Sequence, residues 1–247
     1  MQTADQARLI ELEGVVNLRD VGGYPAGNGR RTRYGRLLRS ASVHELSEAG
    51  KQQLIERGLR HVIDLRHDHE TQHKPNTFAD SDAVNYVNVS LFAGLAPDRV
   101  PIGAIPTLTE MYIEILDSSR DQIREAVLPF AGEGAGLVHC TAGKDRTGII
   151  IALLLDLAGV DRATITHDYA LTDVYLEPMR DSLREHARTA GIDMVQYEHM
   201  ISCKPDYITA FLEHLTERYG GAEAYLLEVG LSSRQIAAIR DNLTEPA

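Results

Sequence analysis

Two cysteines, Cys140 and Cys203, are all that the 247 residues hold. That count excludes a disulfide framework, so packing must hold the fold, and a reducing compartment with Cys140 as a free thiol is expected. Long apolar runs are also missing: the longest, Ile149 to Leu155, is far short of the roughly 20 residues a membrane-crossing helix needs and reads as a buried helix. The first residues, with Asp5, Glu11 and Glu13 and no early lysine, lack the basic-then-apolar pattern of a secretory signal. The expected location is therefore the cytoplasm, with signal-less export left open. Positive charge is scarce, 25 Lys and Arg against 36 Asp and Glu, for a net charge of -11. Bulk attraction to nucleic acid or to an anionic membrane is thereby opposed, and a phosphate-bearing ligand must meet a local cationic site. Gly and Pro are not enriched, and no repeat, low-complexity tract or linker appears. These absences, with a hydrophobic content of 43%, exclude a disordered or collagenous chain. They predict one domain over 1–247, with about 160–245 as a helical extension or lid packed on it.

What is present reads as an alternation of strands and helices. Gly35 to Ser40, His61 to Leu65 and Val84 to Val89 predict short strands, with a helix between the first two that Ser47 caps and Gly58 ends. Thr107 and Glu110 form a capping-box signature, a further helix is predicted from about Asp121 to Phe130, and Leu137-Val138-His139 is a buried strand leading into a loop. After that loop an apolar helix should run to near Gly159. Beyond it the pattern is almost wholly helical, with Pro178 and Pro205 suited to first turns and Ser232 with Gln235 to a second capping box. The expectation is an α/β fold of three layers, a central mostly parallel sheet flanked by helices with a helical C-terminal region.

The loop from Cys140 to Arg146 concentrates the chemistry. A loop between a strand end and a helix start turns backbone N–H groups inward, and the helix dipole adds partial positive charge at the same point. A cysteine at its mouth is favoured as thiolate. Arg146 can return a planar guanidinium to hold two oxygens of a phosphoryl group, and Thr147 can hydrogen-bond the sulfur as a leaving group. Gly143 and Gly148 permit tight turning and close approach. Gly143-Lys144 is a poor match to an ATP-binding loop, because the required earlier glycine is absent and Asp145 replaces Ser/Thr.

His139-Cys140-Thr-Ala-Gly-Lys-Asp-Arg146-Thr147-Gly148 resembles the signature of cysteine-dependent phosphatases, and its wording is most similar to bacterial tyrosine phosphatases of the atypical, dual-specificity or lipid-acting kind. Asn17-Leu-Arg-Asp-Val-Gly-Gly-Tyr24, Gly35-Arg-Leu-Leu-Arg-Ser40 and Val62-Ile-Asp-Leu-Arg66 resemble that family's opening. Weaker similarity continues through Tyr219-Gly220 and Tyr225-Leu226 to the final helix. The resemblance implies a tyrosine-phosphatase-like fold, no metal or other cofactor, and a phosphocysteine intermediate on Cys140. It implies catalytic roles for Cys140, Arg146 and Asp145, and phosphate binding by Thr141, Ala142, Gly143, Lys144 and Thr147. The substrate implied is a phosphorylated protein, phosphotyrosine first with phosphoserine and phosphothreonine beside it, or else a phosphoinositide, towards which Lys144 points. The chain has no Trp, so the Trp-Pro-Asp loop of the best-known tyrosine phosphatases is missing. Asp145, Asp98 and Asp64, in that order, are the candidates for the general acid.

Blander roles are expected elsewhere. Cys203 reads as a buried small hydrophobe, and His139 as a residue that orders the loop from beneath. His167, His186, His199 and His214 read as surface or interhelical residues, and Tyr169, Tyr175 and Tyr225 as core. Arg19, Arg39 and Arg66 are divided evenly between lining the pocket and pairing with Asp20 or Asp64. A sulfurtransferase and a catalytically silent phospho-binding module are the rivals from other classes, and the sequence leaves the oligomeric state open.

Overall fold

The computed structural model describes residues 3–91, 107–189 and 191–247. A central sheet is built from β1 (Arg19–Asp20), β4 (Leu37–Ser40), β7 (Ala135–His139), β5 (Leu59–Asp64) and β6 (Asn85–Asn88), in that spatial order. Strand β1 runs antiparallel to β4, and all the other pairings are parallel. Because successive side chains leave a strand on opposite faces, the adjacent apolar residues of these strands feed two cores. Leu38, Val62 and Leu137 pack on one side with Leu54 and Phe78. Leu37, Ile63 and Val138 pack on the other with Ile149, Ile150 and Leu153. The result is three layers, as expected.

The thinner outer layer holds α2 (Glu48–Glu56), capped by Ser47 as expected, and the short α3 (Asp68–His73). The thicker one is centred on α6 (Asp145–Ala158), whose residues are buried almost all round and which ends in a left-handed Gly159. Around α6 lie α4 (Leu108–Ser118), α5 (Arg120–Val127), α7 (Arg162–Tyr175), α10 (Pro205–Tyr219), α11 (Ala222–Glu228) and α12 (Ser233–Leu243). Both capping boxes form, Thr107 with Glu110 and Ser232 with Gln235. Two further helices, α8 (Glu177–Thr189) and α9 (Met194–Ile201), follow α7, and α1 (Thr3–Arg8) precedes the sheet. The C-terminal region is not wholly helical. β8 (Thr244–Pro246) pairs antiparallel with β3 (Arg30–Thr32), which also pairs with β2 (Pro25–Ala26), so the chain's last residues close a small second sheet on its opening segment.

The register sets Ser40, Asp64 and His139 side by side at the carboxyl ends of β4, β5 and β7. That edge is where parallel sheets present ligand sites, and the segment from Cys140 begins there.

Candidate active site

Residues 140–144 join β7 to α6, and the loop's shape is fixed from outside by its own carbonyl groups. Ser42 N–H donates to Thr141 O at 3.0 Å, Asn17 Nδ2 to Ala142 O at 3.0 Å and to Gly143 O at 3.2 Å, and Arg39 Nη2 to Gly143 O at 2.8 Å. A trans peptide points its C=O and the following N–H in opposite directions. Three outward carbonyls therefore turn the N–H groups of Ala142, Gly143 and Lys144 inward. Gly143 is required here: its φ is +68°, and a Cβ would lie 2.1 Å from Ser40 O. Asn17 adopts a left-handed φ of 59° to reach the loop.

Behind the loop sits a charge cluster entirely out of solvent. Asp168 of α7 accepts from Arg19 Nε at 3.1 Å and Arg39 Nη1 at 2.5 Å. Arg19 Nη1 also holds Asn17 Oδ1, and Arg19 Nη2 reaches Thr172 Oγ1 at 3.1 Å. Two arginines against one carboxylate leave a net positive charge facing the loop from behind. Arg39 thus acts on the loop through the Gly143 carbonyl and Arg19 through its hold on Asn17, and their partner is Asp168 rather than Asp20, which accepts from Gly22 and Gly35 N–H.

Arg146, on the first turn of α6, is gripped by Glu70 of α3. Nη1 donates to Oε2 at 2.7 Å and Nη2 to Oε1 at 3.1 Å. Thr141 Oγ1 hydrogen-bonds the same carboxylate and accepts from Arg146 Nη2 at 3.0 Å. Burial opposes the guanidinium's charge, but Cys140 and Glu70 outweigh it and push the Arg146 pKa above its usual value. Burial likewise disfavours the Glu70 carboxylate, yet Arg146 and Thr141 lower its pKa to about 2. Cys140 is itself 3% exposed.

Asp64 lies deeper. Arg66 binds it through Nε at 2.9 Å and Nη2 at 2.7 Å, and Asn76 and Tyr86 donate to Oδ2. Burial alone would raise its pKa, but the Arg66 guanidinium and the Asn76 amide hold it well below the carboxylate range, which leaves Asp64 no proton to give. His139 is beneath the loop as expected. Asn76 Oδ1 is taken by Phe78 N–H, so its Nδ2 donates to His139 Nε2 at 2.8 Å. The imidazole proton then sits on Nδ1, towards Cys140 O. Burial pushes the His139 pKa down, consistent with a neutral ring.

Asp145 opens α6 and is partly exposed. Tyr112 of α4 donates to its Oδ1, Lys144 Nζ lies 3.2 Å from the same oxygen, and Tyr112 and Tyr169 are joined at 2.7 Å. Among the described residues Oδ2 has no hydrogen-bond partner. Lys144, 2% exposed, turns its ammonium to Ser202 O at 3.1 Å as well as to Asp145. Thr147 Oγ1 is buried with no hydrogen-bond partner among the described residues. Asp98 lies outside the described residues. Burial pushes the Cys203 thiol up to about 12, as suits an inert buried cysteine. Tyr169, Tyr175 and Tyr225 are core, while His167 pairs with Asp5 and His214 with Asp117.

Cavities open on both sides of the loop. One, of about 460 Å³, lies between Thr141, α3 and α8. The other, of about 120 Å³, lies between Ala142, Lys144 and Asp145 and residues of α8 and α9, among them Arg180 and Tyr197. No helix among the described residues is long and apolar enough to cross a membrane, and no group of three His, Cys, Asp or Glu side chains among them could hold a metal ion.

Glu70, Asn17, Asp168 and Tyr112 were not singled out as functional from the sequence. Asp168 left the clearest trace, a lone acid on the buried face of an apolar helix, one turn from Thr172. Glu70 left only a helix start capped by a histidine.

Strand β7, a loop whose Thr141, Ala142 and Gly143 carbonyls are held outward, and the start of α6 thus follow one another, with Cys140 and Arg146 at the two ends of the loop segment. The chain belongs to the tyrosine phosphatase family, whose model matches residues 10–245. It is 35% identical over 216 residues to a tyrosine-protein phosphatase of Nostoc commune, covering 84% of this chain and 74% of that one. It is 25% identical over 271 residues to the triple specificity protein phosphatase PtpB of Mycobacterium tuberculosis, covering 93% and 97%. Among solved structures, P. aeruginosa TpbA is 19% identical over 57% of this chain and 72% of that one, with a TM-score of 0.30.

Proposed function

We propose that the protein hydrolyses phosphate monoesters through a phosphocysteine on Cys140, with phosphotyrosine in proteins as the first substrate and phosphoserine and phosphothreonine beside it. The observation that carries this reading is the loop itself. Asn17, Arg39 and Ser42 hold its carbonyls outward, so its amides converge on the Cys140 side with Arg146 bonded across its mouth. Preorganised N–H donors of this kind stabilise the charge that builds on a phosphoryl group in the transition state.

In the first step the Cys140 thiolate attacks phosphorus, an S–P bond forms and the bond to the leaving oxygen breaks. Asp145 gives that oxygen a proton from Oδ2, the oxygen that Tyr112 and Lys144 leave open. In the second step water attacks phosphorus, Asp145 takes back a proton, and the S–P bond breaks to release phosphate and the thiolate. The buried Thr147 hydroxyl has no competing partner among the described residues and can donate to the departing sulfur. Thr141, Ala142, Gly143 and Lys144 contribute backbone N–H groups. The Lys144 ammonium, tied to Ser202 and Asp145, acts first as a support for Asp145.

Phosphoinositide hydrolysis is the second reading, and the observation in its favour is a second cation within the loop. Phosphate release from a phosphotyrosine peptide, a phosphoserine peptide and phosphoinositides on one preparation tests both. The proposal expects the phosphotyrosine peptide to be fastest and all turnover to vanish in Cys140→Ser. Faster turnover of the lipid would replace the first reading with the second, and full activity in Cys140→Ser would end both.

A further inference from the structure

The larger cavity beside the loop has two unlike walls. On one side α8 presents Met179, Ser182 and Leu183, without a charged residue. On the other stand His44, His69, His73 and Lys74, with Thr141 of the loop at the inner end. The groups on this second wall are short of acceptors. His44 Nε2 is buried with no hydrogen-bond partner among the described residues. His73 Nδ1 donates to His69 O at 2.7 Å, so its Nε2 is the nitrogen left to the cavity, and it can donate only when the ring is protonated. Among the described residues no carboxylate pairs with Lys74. The charges already there are spoken for: Arg66 is spent on Asp64 and Lys74 O, and Glu70 on Arg146. Glu45 is an exposed side chain whose Oε1 lies 3.5 Å from His44 Nε2, a screened surface contact that an arriving carboxylate can displace.

We propose that this cavity is a subsite for the carboxylate of an acidic residue flanking the phosphorylated residue of a peptide substrate. The inference rests on the phosphatase reading and extends it from the reacting phosphate to its neighbour. Thr141 lines the cavity and adjoins Cys140, so a group held here sits one side chain from the reacting centre. The apolar wall suits the aliphatic part of a peptide, and the net charge of -11 opposes an anionic bilayer, which favours a peptide over a lipid as the source of the anion. Lys74 supplies charge at every working pH. His44 adds to it when its ring takes up a proton. Burial, with Lys74 and Arg66, holds the His44 pKa down against the pull of Glu45, so the arriving carboxylate favours proton uptake there.

Two phosphotyrosine peptides that differ only in Glu or Gln beside the phosphotyrosine provide the test, with p-nitrophenyl phosphate as a substrate that has no flank. A carboxylate gaining charge-assisted hydrogen bonds is expected to raise kcat/KM about tenfold at pH 6, an advantage that shrinks at pH 8 and in high salt. In His73→Gln/Lys74→Ala the ratio should fall towards one, while p-nitrophenyl phosphate turnover stays within about twofold, as for substitutions away from the reacting groups. Equal rates for the two wild-type peptides, or a ratio the double variant leaves unchanged, would overturn the subsite. If the variant instead loses only turnover of a soluble bisphosphorylated inositol headgroup, the peptide assignment is overturned in favour of the second phosphate of that ligand. Loss of p-nitrophenyl phosphate hydrolysis by the wild type would strike the phosphatase reading itself.

Discussion

Arg146 meets Glu70 end to end, two parallel hydrogen bonds of 2.7 and 3.1 Å between a planar guanidinium and a carboxylate on a different helix. This pairing fixes the plane of the Arg146 guanidinium, and in the proposed mechanism that is the plane offered to a phosphoryl group. Glu70→Gln keeps the shape and halves the grip, so kcat/KM should drop about tenfold with the fold intact, in proportion to the loss of one charge-assisted bond. The Glu70 pKa is about 2 in the fold against an ordinary 4.5. A depressed carboxyl contributes stability that is fully present above the unfolded value and is lost as pH falls through the folded one. Wild type should therefore lose stability relative to Glu70→Gln between pH 4.5 and about 2, read by urea unfolding at stepped pH.

Asp168 stands between Arg19 and Arg39, which pair with no other carboxylate among the described residues. Asp168→Ala would strand both guanidiniums in the core, a loss of about 3–5 kcal/mol by analogy with broken buried ion pairs. Chemical denaturation measures it directly. A loss under 1 kcal/mol would mean that water reaches the cluster.

Gly143→Ala tests the loop's shape alone. The added methyl meets Ser40 O at 2.1 Å and the φ of +68° is strained for any L side chain. Turnover should fall at least about 100-fold, the scale of losing one transition-state donor, while the two cores survive. Steady-state kinetics alongside circular dichroism separates the two effects.

Much of this was legible in the chain. Strands β4, β5, β6 and β7 and several helices followed from apolar patterning and caps, since Ser47, Thr107 and Ser232 make local bonds that depend on nothing distant. Cys140 and Arg146 were legible because five intervening residues are a local spacing. The partners Glu70, Asn17 and Asp168 were not, because they arrive from 76, 126 and 149 residues away in the hydrogen bonds they make to Arg146, Gly143 and Arg19. Strand β8 went unseen for a related reason: Thr244 to Pro246 has no alternation to read and is a strand only because β3 lies beside it.

Tyr112 is the positioning partner of Asp145. Tyr112→Phe removes the donor to Oδ1 and should slow alkyl phosphates, which need a proton on the leaving oxygen, about tenfold more than aryl phosphates with good leaving groups. Asp145→Asn should show the same selectivity, more steeply. Equal losses for both substrate types would give Asp145 a role in holding the loop instead.

In the proposed mechanism the Cys140 sulfur carries the phosphoryl group between the two steps. Enzyme mixed with a phosphotyrosine peptide and quenched in acid within milliseconds, then digested and weighed, should carry one phosphoryl group on the peptide containing Cys140, and none in Cys140→Ser. A phosphoryl group found on His139 or on any other residue, or turnover with no covalent intermediate in the wild type, would contradict it.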